Sequence, residues 1–564
     1  MESIRFPLIA ALAVVGFFMY QAWKTDQSPA PEPQSPSPIE QIAADDDVPS
    51  LDASPSVANS ADDSNAGLAD EAGETGQSPR MTASTDTVVV TTDVMRVFID
   101  PQGGNLVRVE LLNYPVEADS DTPLALLHQG NRSFFVVQSG LLGEGAPTHK
   151  VAYRADRSRY TMQPGQSLSV PLRWTDADGR QVTKTYHFEP GRYVVGLDYS
   201  VRNDAATPWS VSAYGQVWRT EADSSGGTPF VRQFDGAAWY EQKDAEGKYR
   251  FRKADFGKID DEPLDVTQTG GWAGMMQHYF IAALIPPAEQ TVRLVTKPSS
   301  TQGYLTQLIG EKAEVAVGSS TTLSQRIYIG PKLQKRMEDV APGLQLSVDY
   351  GLLTPLSEPL FWIMDKVHSV VRNWGLAIIL VTLAIKLVFY KLSEAQYRSM
   401  AKMRKFAPRI QSIKDRYGDD RQKMQQAMMD LYKKEGFNPF AGCWPMLVQF
   451  PVFIALYWVL LESVELRQAP FFLWIHDLSA PDPFFVLPVL FGISMFFQQK
   501  LSGQAMTMDP MQQKIMSAMP IGLAAFFTFF PSGLVLYWFV SNLVGIAQQW
   551  YIYRKLEHEG LGRK

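Results

Sequence analysis

The stretch Asn373-Trp-Gly-Leu-Ala-Ile-Ile-Leu-Val-Thr-Leu-Ala-Ile-Lys-Leu-Val-Phe-Tyr390 decides the fold class of this chain. It is 18 residues long, and its single charged side chain is Lys386. About 20 apolar residues in a helix span the hydrocarbon core of a bilayer. The stretch therefore predicts a membrane-spanning helix.

Five other uncharged apolar stretches predict further spans, and they cover residues 6–23, 441–461, 484–497, 515–530 and 533–553. Residues 484–497 and 515–530 would form only about 21–24 Å of helix, which suits a locally thinned bilayer. Residues 6–23 lack a small-residue cleavage site, which favours a retained anchor over a cleaved signal peptide. The sequence thus predicts six spans, an N-terminal anchor and a five-span core.

Basic residues lie in the segments that connect spans on one side. Residues 391–440 contain 12 Lys/Arg against 6 Asp/Glu, whereas the opposite loop, 462–483, has Arg467 against four acidic residues. The positive-inside rule then puts residues 391–440, 500–514 and both termini in the cytoplasm. Residues 24–372 are predicted to be largely periplasmic.

The average composition of the whole chain does not show this division into apolar spans and polar segments. The 564 residues have a net charge of −7 and a mean hydropathy of −0.13, which resembles a soluble acidic protein. Residues 25–85 hold 12 Asp/Glu, one Lys/Arg and eight Pro, which predicts a disordered linker of net charge −11. An acidic balance argues against nucleic-acid binding, and a single cysteine argues against a disulfide framework.

The region between the linker and the core shows the patterns of β structure. Apolar residues alternate with polar or small ones in 193–201, and turn residues such as Pro101-Gln-Gly-Gly separate the runs. The predicted domains are the anchor 1–24, the linker 25–85, an all-β domain 86–345, the helical core 350–556 and a short tail 557–564. Within the core, 356–371 is an amphipathic helix that lies in the outer interface or caps the β domain, and 391–440 is a helical hairpin.

Lys386 is the strongest candidate for a functional residue. An intramembrane charge is costly and marks function by default, although Lys386 lies only four residues inside its span and can snorkel to the interface. Thr382 lies one helical turn earlier on the same face. Other polar residues in the spans line a wet half-cavity or form ordinary interhelical hydrogen bonds; they are Gln449, Ser494, Thr528, Tyr537, Ser541 and Asn542. The sequence shows no nucleophile, phosphate or metal motif, so it predicts no enzyme and no cofactor.

Several long runs are similar to one family. They are Ala395-Gln-Tyr-Arg-Ser-Met-Ala-Lys-Met, Asn438-Pro-Phe-Ala-Gly-Cys-Trp-Pro-Met, Val464-Glu-Leu-Arg-Gln-Ala-Pro, Leu473-Trp-Ile-His-Asp-Leu-Ser, Asp509-Pro-Met-Gln-Gln-Lys-Ile-Met and Phe530-Pro-Ser-Gly-Leu-Val-Leu-Tyr. Across residues 350–556 the chain resembles the YidC family of membrane protein insertases. The anchor, linker and β domain resemble its Gram-negative form, whose large periplasmic domain is a β-supersandwich.

This resemblance implies a mechanism. A groove open to cytoplasm and lipid, but closed outside, would hold one positive charge, here on Lys386 where the common family residue is Arg. By resemblance, Thr382, Tyr537 and Trp538 belong to this groove. Phe453 and Phe526 belong to the apolar path along which a substrate helix leaves.

The resemblance also implies partners. They are the transmembrane segments of nascent membrane proteins, membrane lipids and the Sec translocon with SecD/SecF, and nucleic acid is not bound directly. A ribosome contact would have to use residues 391–440 or 500–514, because the tail is short. The alternatives are a secondary transporter or channel that uses Lys386, although no internal repeat is found, and an anchored periplasmic scaffold.

Overall fold

The computed structural model describes residues 48–49, 87–118, 120–130, 133–221, 233–243, 248–417, 420–434, 444–502 and 510–558. The predicted anchor, nearly all of the predicted linker and the last six residues of the tail lie outside these ranges.

Twenty strands form the β domain of the described chain. They are β1 Val88–Thr91, β2 Met95–Asp100, β3 Asn105–Pro115, β4 Pro123–Gln129, β5 Phe134–Leu142, β6 Arg154–Ala155, β7 Arg159–Thr161, β8 Leu168–Thr175, β9 Arg180–Phe188, β10 Val194–Asn203, β11 Trp209–Arg219, β12 Gly236–Gln242, β13 Tyr249–Asp255, β14 Leu264–Thr269, β15 Trp272–Met276, β16 Phe280–Ile285, β17 Thr291–Pro298, β18 Tyr304–Gly310, β19 Ala313–Val315 and β20 Ser320–Pro331.

These strands belong to two large sheets. The first sheet has eleven strands in the order β14-β17-β18-β11-β5-β4-β3-β2-β1-β7, with β19 paired to β11. The second has nine strands in the order β13-β12-β15-β16-β20-β10-β9-β8-β6. Their facing side chains join one apolar core. The β-rich domain that the sequence predicts is therefore confirmed.

The alternation in the sequence sets which face of each strand is buried. In β10, Val195, Leu197, Tyr199 and Val201 are fully buried, as expected for the inward face of a sandwich. Fully buried Lys184 of β9 is the polar exception. Its Nζ donates to the carbonyl oxygens of Gly103 and Ser139, at 2.8 and 2.9 Å. Burial lowers the pKa of this amine well below its ordinary value.

Ten α-helices are described. They are α1 Phe256–Asp261, α2 Gln334–Glu338, α3 Thr354–Val371, α4 Trp374–Val388, α5 Tyr390–Tyr417, α6 Arg421–Lys434, α7 Trp444–Glu462, α8 Val486–Ser502, α9 Pro510–Phe527 and α10 Ser532–His558. Short 3-10 turns cover Leu344–Ser347, Gly351–Leu353 and Val464–Leu466. Helices α3 to α10 form the helical core.

The structure changes how the first core stretch is divided. Residues 373–390 do not form one straight helix. Helix α4 ends at Val388 and α5 begins at Tyr390, so the first helix of the predicted hairpin 391–440 starts at the last residue of the predicted span. Helix α4 and the start of α5 together have the length and hydropathy of a membrane span, but they are bent by 64°. Among the described residues, no single helix is long and apolar enough to be a span by itself. The number of six spans stays a prediction.

Candidate functional site

The helical core is tightly packed at the end that faces the β domain. On α4, Ala377, Ile378 and Val381 are buried, and on α10 the side chains of residues 534–537 are at most 5% exposed. Gly375 allows this approach, because a Cβ there would lie only 2.0 Å from Phe471. We call this the β-domain end of the core.

The loop of residues 463–485 crosses the β-domain end. Its Leu478 carbonyl oxygen accepts a hydrogen bond from the backbone N–H of Gly533 at 2.8 Å, which ties the loop to the start of α10. Asn373 donates from its side-chain amide to the carbonyl oxygens of Pro470 and Phe471, at 3.3 and 3.2 Å, which ties the loop to α4. The loop therefore covers the ends of both helices.

Two aspartates hold the shape of this loop. The Asp477 carboxylate accepts from the backbone N–H of Gln468 and of Ser479, at 2.9 and 2.7 Å. Asp482 accepts from the indole N–H of Trp474 at 2.9 Å and from the backbone N–H of Leu487, near the start of α8, at 2.7 Å. These bonds support a left-handed backbone at Gln468, which is costly for a residue with a Cβ.

At the opposite end of the core, which carries the hairpin of α5 and α6, two helices expose apolar side chains. Leu387 and Val388 at the end of α4 are 70% and 78% exposed. Leu447 and Phe450 at the start of α7 are more than half exposed as well. We call this the hairpin end. The ends of α4 and α7 near the hairpin thus expose apolar side chains, whereas α4 and α10 are packed where the loop of residues 463–485 covers them.

Lys386 lies in α4 between the buried Val381 and the exposed Leu387. Its side chain is half-buried, and it forms no ion pair with any carboxylate among the residues that the structure describes. Its backbone carbonyl oxygen accepts a hydrogen bond from Gln548 of α10 at 3.0 Å. Thr382, one turn earlier, is buried, and its hydroxyl donates to the carbonyl oxygen of Ile378 in the same helix at 2.6 Å. The Thr382 hydroxyl therefore already donates its hydrogen bond within α4.

Four of the predicted site residues belong to one aromatic cluster. The rings of Phe453 and Trp538 are stacked, with centroids 5.9 Å apart, and Phe453 also contacts Tyr537 at 5.7 Å. Phe526 joins through Phe530, at 4.8 Å, which in turn contacts Trp538 at 5.9 Å. Tyr537 is buried, whereas Phe526 is 37% exposed.

Polar residues in the helices pair across the core. The Asn542 side-chain amide donates to Ser494 Oγ at 2.7 Å, which links α10 to α8. The Gln449 side-chain amide donates to Ser393 Oγ at 3.5 Å. The Thr528 hydroxyl donates to the carbonyl oxygen of Ala525, three residues earlier, at 2.6 Å. These contacts match ordinary hydrogen bonding within and between helices.

The sequence did not single out Gln548 or the polar cluster at the hairpin end. Glu394 of α5 lies 2.9 Å from the Lys555 ammonium of α10, and Lys391 and Arg398 are each 3.7 Å away. One sequence signal was available, since a carboxylate flanked by Lys391 and Arg398 has helical spacing that favours ion pairs.

The β domain docks on the end of the core that the loop of residues 463–485 covers. Arg467 donates to the carbonyl oxygen of Pro115 at 2.8 Å, and the Gln468 side chain donates to the same oxygen at 2.9 Å. Nearby, the buried Lys332 ammonium donates to the Ser347 carbonyl at 3.1 Å, and burial lowers its pKa to about 8. Helix α3 contributes Asp365, which pairs with Lys335 of the β domain.

Comparison with known families agrees with this architecture. The family model described as "60Kd inner membrane protein" matches residues 366–559, and the model described as "YidC periplasmic domain" matches residues 87–363. The helical core therefore corresponds to the inner-membrane part, and the β domain is periplasmic. The transporter alternative is not favoured by these matches.

Relatives of similar length cover nearly the whole chain. The protein named "Membrane protein insertase YidC" of Thioalkalivibrio sulfidiphilus is 44% identical over 99% of this chain and 100% of its own length. The proteins of the same name from Nitrosococcus oceani and Methylococcus capsulatus are 44% and 42% identical, again over 99% of this chain. This chain therefore belongs to the YidC family of membrane protein insertases.

Proposed function

We propose that this protein inserts nascent membrane proteins into the bacterial inner membrane and assists their folding, by receiving them in a groove at the hairpin end of its core. The main support for this proposal is the difference in side-chain exposure between the two ends of the core. Helices α4, α7 and α10 are packed near the β domain, and α4 and α7 expose their side chains near the hairpin. A substrate can therefore enter from the hairpin end without an open path to the other side.

Lys386 supplies the attraction in this groove. In a surrounding of low dielectric, an ammonium attracts a carboxylate far more strongly than it does in water. Because no described carboxylate pairs with Lys386, its charge is available to a polar, often acidic, segment of the substrate. Tyr537 and Trp538 would form the inner wall of the groove, towards the β-domain end, and Thr382 would contribute through packing rather than through its hydroxyl.

The apolar part of the substrate takes a different route. Phe526 is partly exposed and continues the cluster that contains Phe453. A substrate helix leaving along these rings passes from protein into lipid, and burial of about 20 apolar residues drives the step without a nucleotide. Chemical catalysis is not needed, and the groove needs no cofactor.

The proposed topology follows the charge distribution. The anchor 1–24 and five core spans would place both termini and the hairpin in the cytoplasm, and the linker 25–85 in the periplasm. Helices α8 and α9 are short, at about 25–27 Å of length, so the bilayer around them would be thin. A thin bilayer lowers the cost of moving polar residues across it.

We further propose that the protein works both alone and with the Sec translocon including SecD/SecF. The experiment that tests the proposal is depletion of the protein, followed by protease accessibility of small membrane proteins with short translocated tails. The tails are expected to stay protected from external protease after depletion and to become accessible when the wild-type chain is restored. Normal accessibility under depletion would contradict the proposal.

A further inference from the structure

A piece of the predicted linker lies against the β domain. Val48 packs on an apolar patch formed by Leu142, Tyr214, Val295 and Ile309, and Pro49 beside it is buried. This patch is separate from the main apolar core of the protein. The linker therefore contacts folded structure at a point far from both of its ends.

The patch lies on the outward face of the first sheet. A Cβ at Gly215 would lie 3.0 Å from Leu284 of the second sheet, so residue 215 points into the sandwich. Successive residues of a strand point to opposite faces, so Tyr214 points outward. Ile309 lies opposite Tyr214 in the pairing of β11 with β18 and shares its face.

This outward face is unusual because it is buried. An outward face of a sandwich is commonly solvated, but Tyr214 is fully buried and the other three patch residues are at most 9% exposed. The patch also has a fixed shape, since the Tyr214 hydroxyl is 2.6 Å from Nδ1 of His149 in a neighbouring loop. A rigid apolar surface of this kind suits a short extended peptide.

The linker residues around Val48 have properties that suit binding to this patch. The residue before a proline has a restricted range of backbone conformations, so Val48 loses little entropy when it binds. Asp45-Asp46-Asp47 precede it directly. On the sheet, Lys297 lies two positions from Val295 in β17 and shares its outward face, as does Arg293, whose guanidinium is paired with Asp265 at 2.6 Å. In sequence, an acidic run thus precedes the segment that contacts this face, and Lys297 is a cation on the same face.

We propose that Val48 and Pro49 form a docking segment that binds in cis to the outward face of the first sheet and holds the linker there. The N-terminal anchor is then tethered by residues 25–47 rather than by the whole linker. A segment of that length reaches at most about 80 Å when it is fully extended. Docking therefore shortens the tether between the anchor and the β domain.

The test uses the full-length protein in nanodiscs and a labelled peptide of residues 43–53. In the wild type the patch is occupied by its own linker, so the peptide is expected to bind weakly. The variant Val48→Asp frees the patch without altering the sheet, and it should bind the peptide at least about tenfold more tightly, the factor for one buried valine. Val57→Asp, in the same linker, is the matched control and should behave as the wild type.

A second measurement, of hydrogen exchange, reports on the strands that form the patch. Hydrogen exchange of β17 and β18 should become faster in Val48→Asp and stay unchanged in Val57→Asp. Equal peptide affinity for the wild type and Val48→Asp, together with equal exchange, would overturn the proposal. Tight binding of a peptide that itself carries Val48→Asp would overturn it as well, because the contact would then not depend on the valine.

Discussion

The Gln548 side-chain amide donates a hydrogen bond to the backbone carbonyl oxygen of Lys386, with 3.0 Å between Nε2 and O. Lys386 is in the last turn of α4, where carbonyl oxygens lack partners within the helix. Just beyond, the chain bends by 64° into α5. Gln548 therefore satisfies the backbone at this bend and fixes α4, with its lysine, against α10.

We expect Gln548→Leu to loosen the bend and to lower insertion activity several-fold. The stability lost should be about 1 kcal/mol, which is typical of a hydrogen bond between membrane helices. Reconstituted insertion and thermal unfolding in the same lipid measure the two effects. Gln426→Leu, at an exposed position of α6, is the control and should change neither. Full activity and stability in Gln548→Leu would show that the bond is dispensable.

Arg467 is expected to hold the β domain on the core. Its guanidinium donates to the carbonyl oxygens of Pro115 and Val116, at 2.8 and 3.2 Å, and a bond to a charged group contributes about 1.5–3 kcal/mol. Arg467→Ala should broaden the distance distribution between spin labels at Val317 of the β domain and Val370 of α3, in a Cys443→Ser background.

The control for this measurement is Arg192→Ala, which removes an exposed ion pair with Glu189 on the β domain. Its distance distribution should remain as narrow as that of the wild type, because surface ion pairs contribute little. An equally narrow distribution in Arg467→Ala would mean that other contacts are sufficient for docking.

Docking should also depend on pH through Glu465. Burial, and to a lesser degree the nearby Asp365 carboxylate, raises the pKa of Glu465 to about 7 from an ordinary value of 4.5. Between pH 4.5 and 7, Glu465 is therefore protonated in the folded state and ionised in the unfolded state. The stability contributed by this group is complete below pH 4.5 and is lost as the pH rises through 7.

Glu465→Gln should therefore stabilise the protein at pH 8, by up to about 3 kcal/mol, and should have little effect near pH 4.5. Thermal unfolding of wild type and variant between pH 4.5 and 8 measures the difference. The pKa of Lys332, lowered to about 8, leaves its contribution nearly constant over the acidic part of this range. A difference between the two proteins that does not vary with pH would disprove the role of Glu465.

Strands with alternating residues could be predicted from the sequence, and those without alternation could not. The run 193–201 predicts β10, which is observed at Val194–Asn203. In contrast, all residues of β15 and β16 are buried, so Trp272–Met276 and Phe280–Ile285 show no alternation that would mark them as strands. Local pattern cannot identify a strand that is buried on both faces.

The candidate site was predictable only in part, for a similar reason. A charge inside an apolar run identifies Lys386 without a structure. Its contact with Gln548 joins residues 162 positions apart, and the contact of Arg467 with Pro115 joins residues 352 apart. Such pairs depend on how the elements pack. Periodicity and composition describe each element separately, so they carry no information on these contacts.

The charge of Lys386 is the centre of the proposed mechanism, and a charge-swap experiment tests it most directly. Insertion of one substrate with an acidic translocated tail, and of the same substrate with a basic tail, is measured in proteoliposomes. The wild type and Lys386→Arg should favour the acidic tail, and Lys366→Glu, the same change on α3, should behave as they do. Lys386→Glu should reverse the preference by at least about tenfold, since a close charge pair contributes several kcal/mol at intermediate dielectric. An unchanged preference in Lys386→Glu would contradict the account.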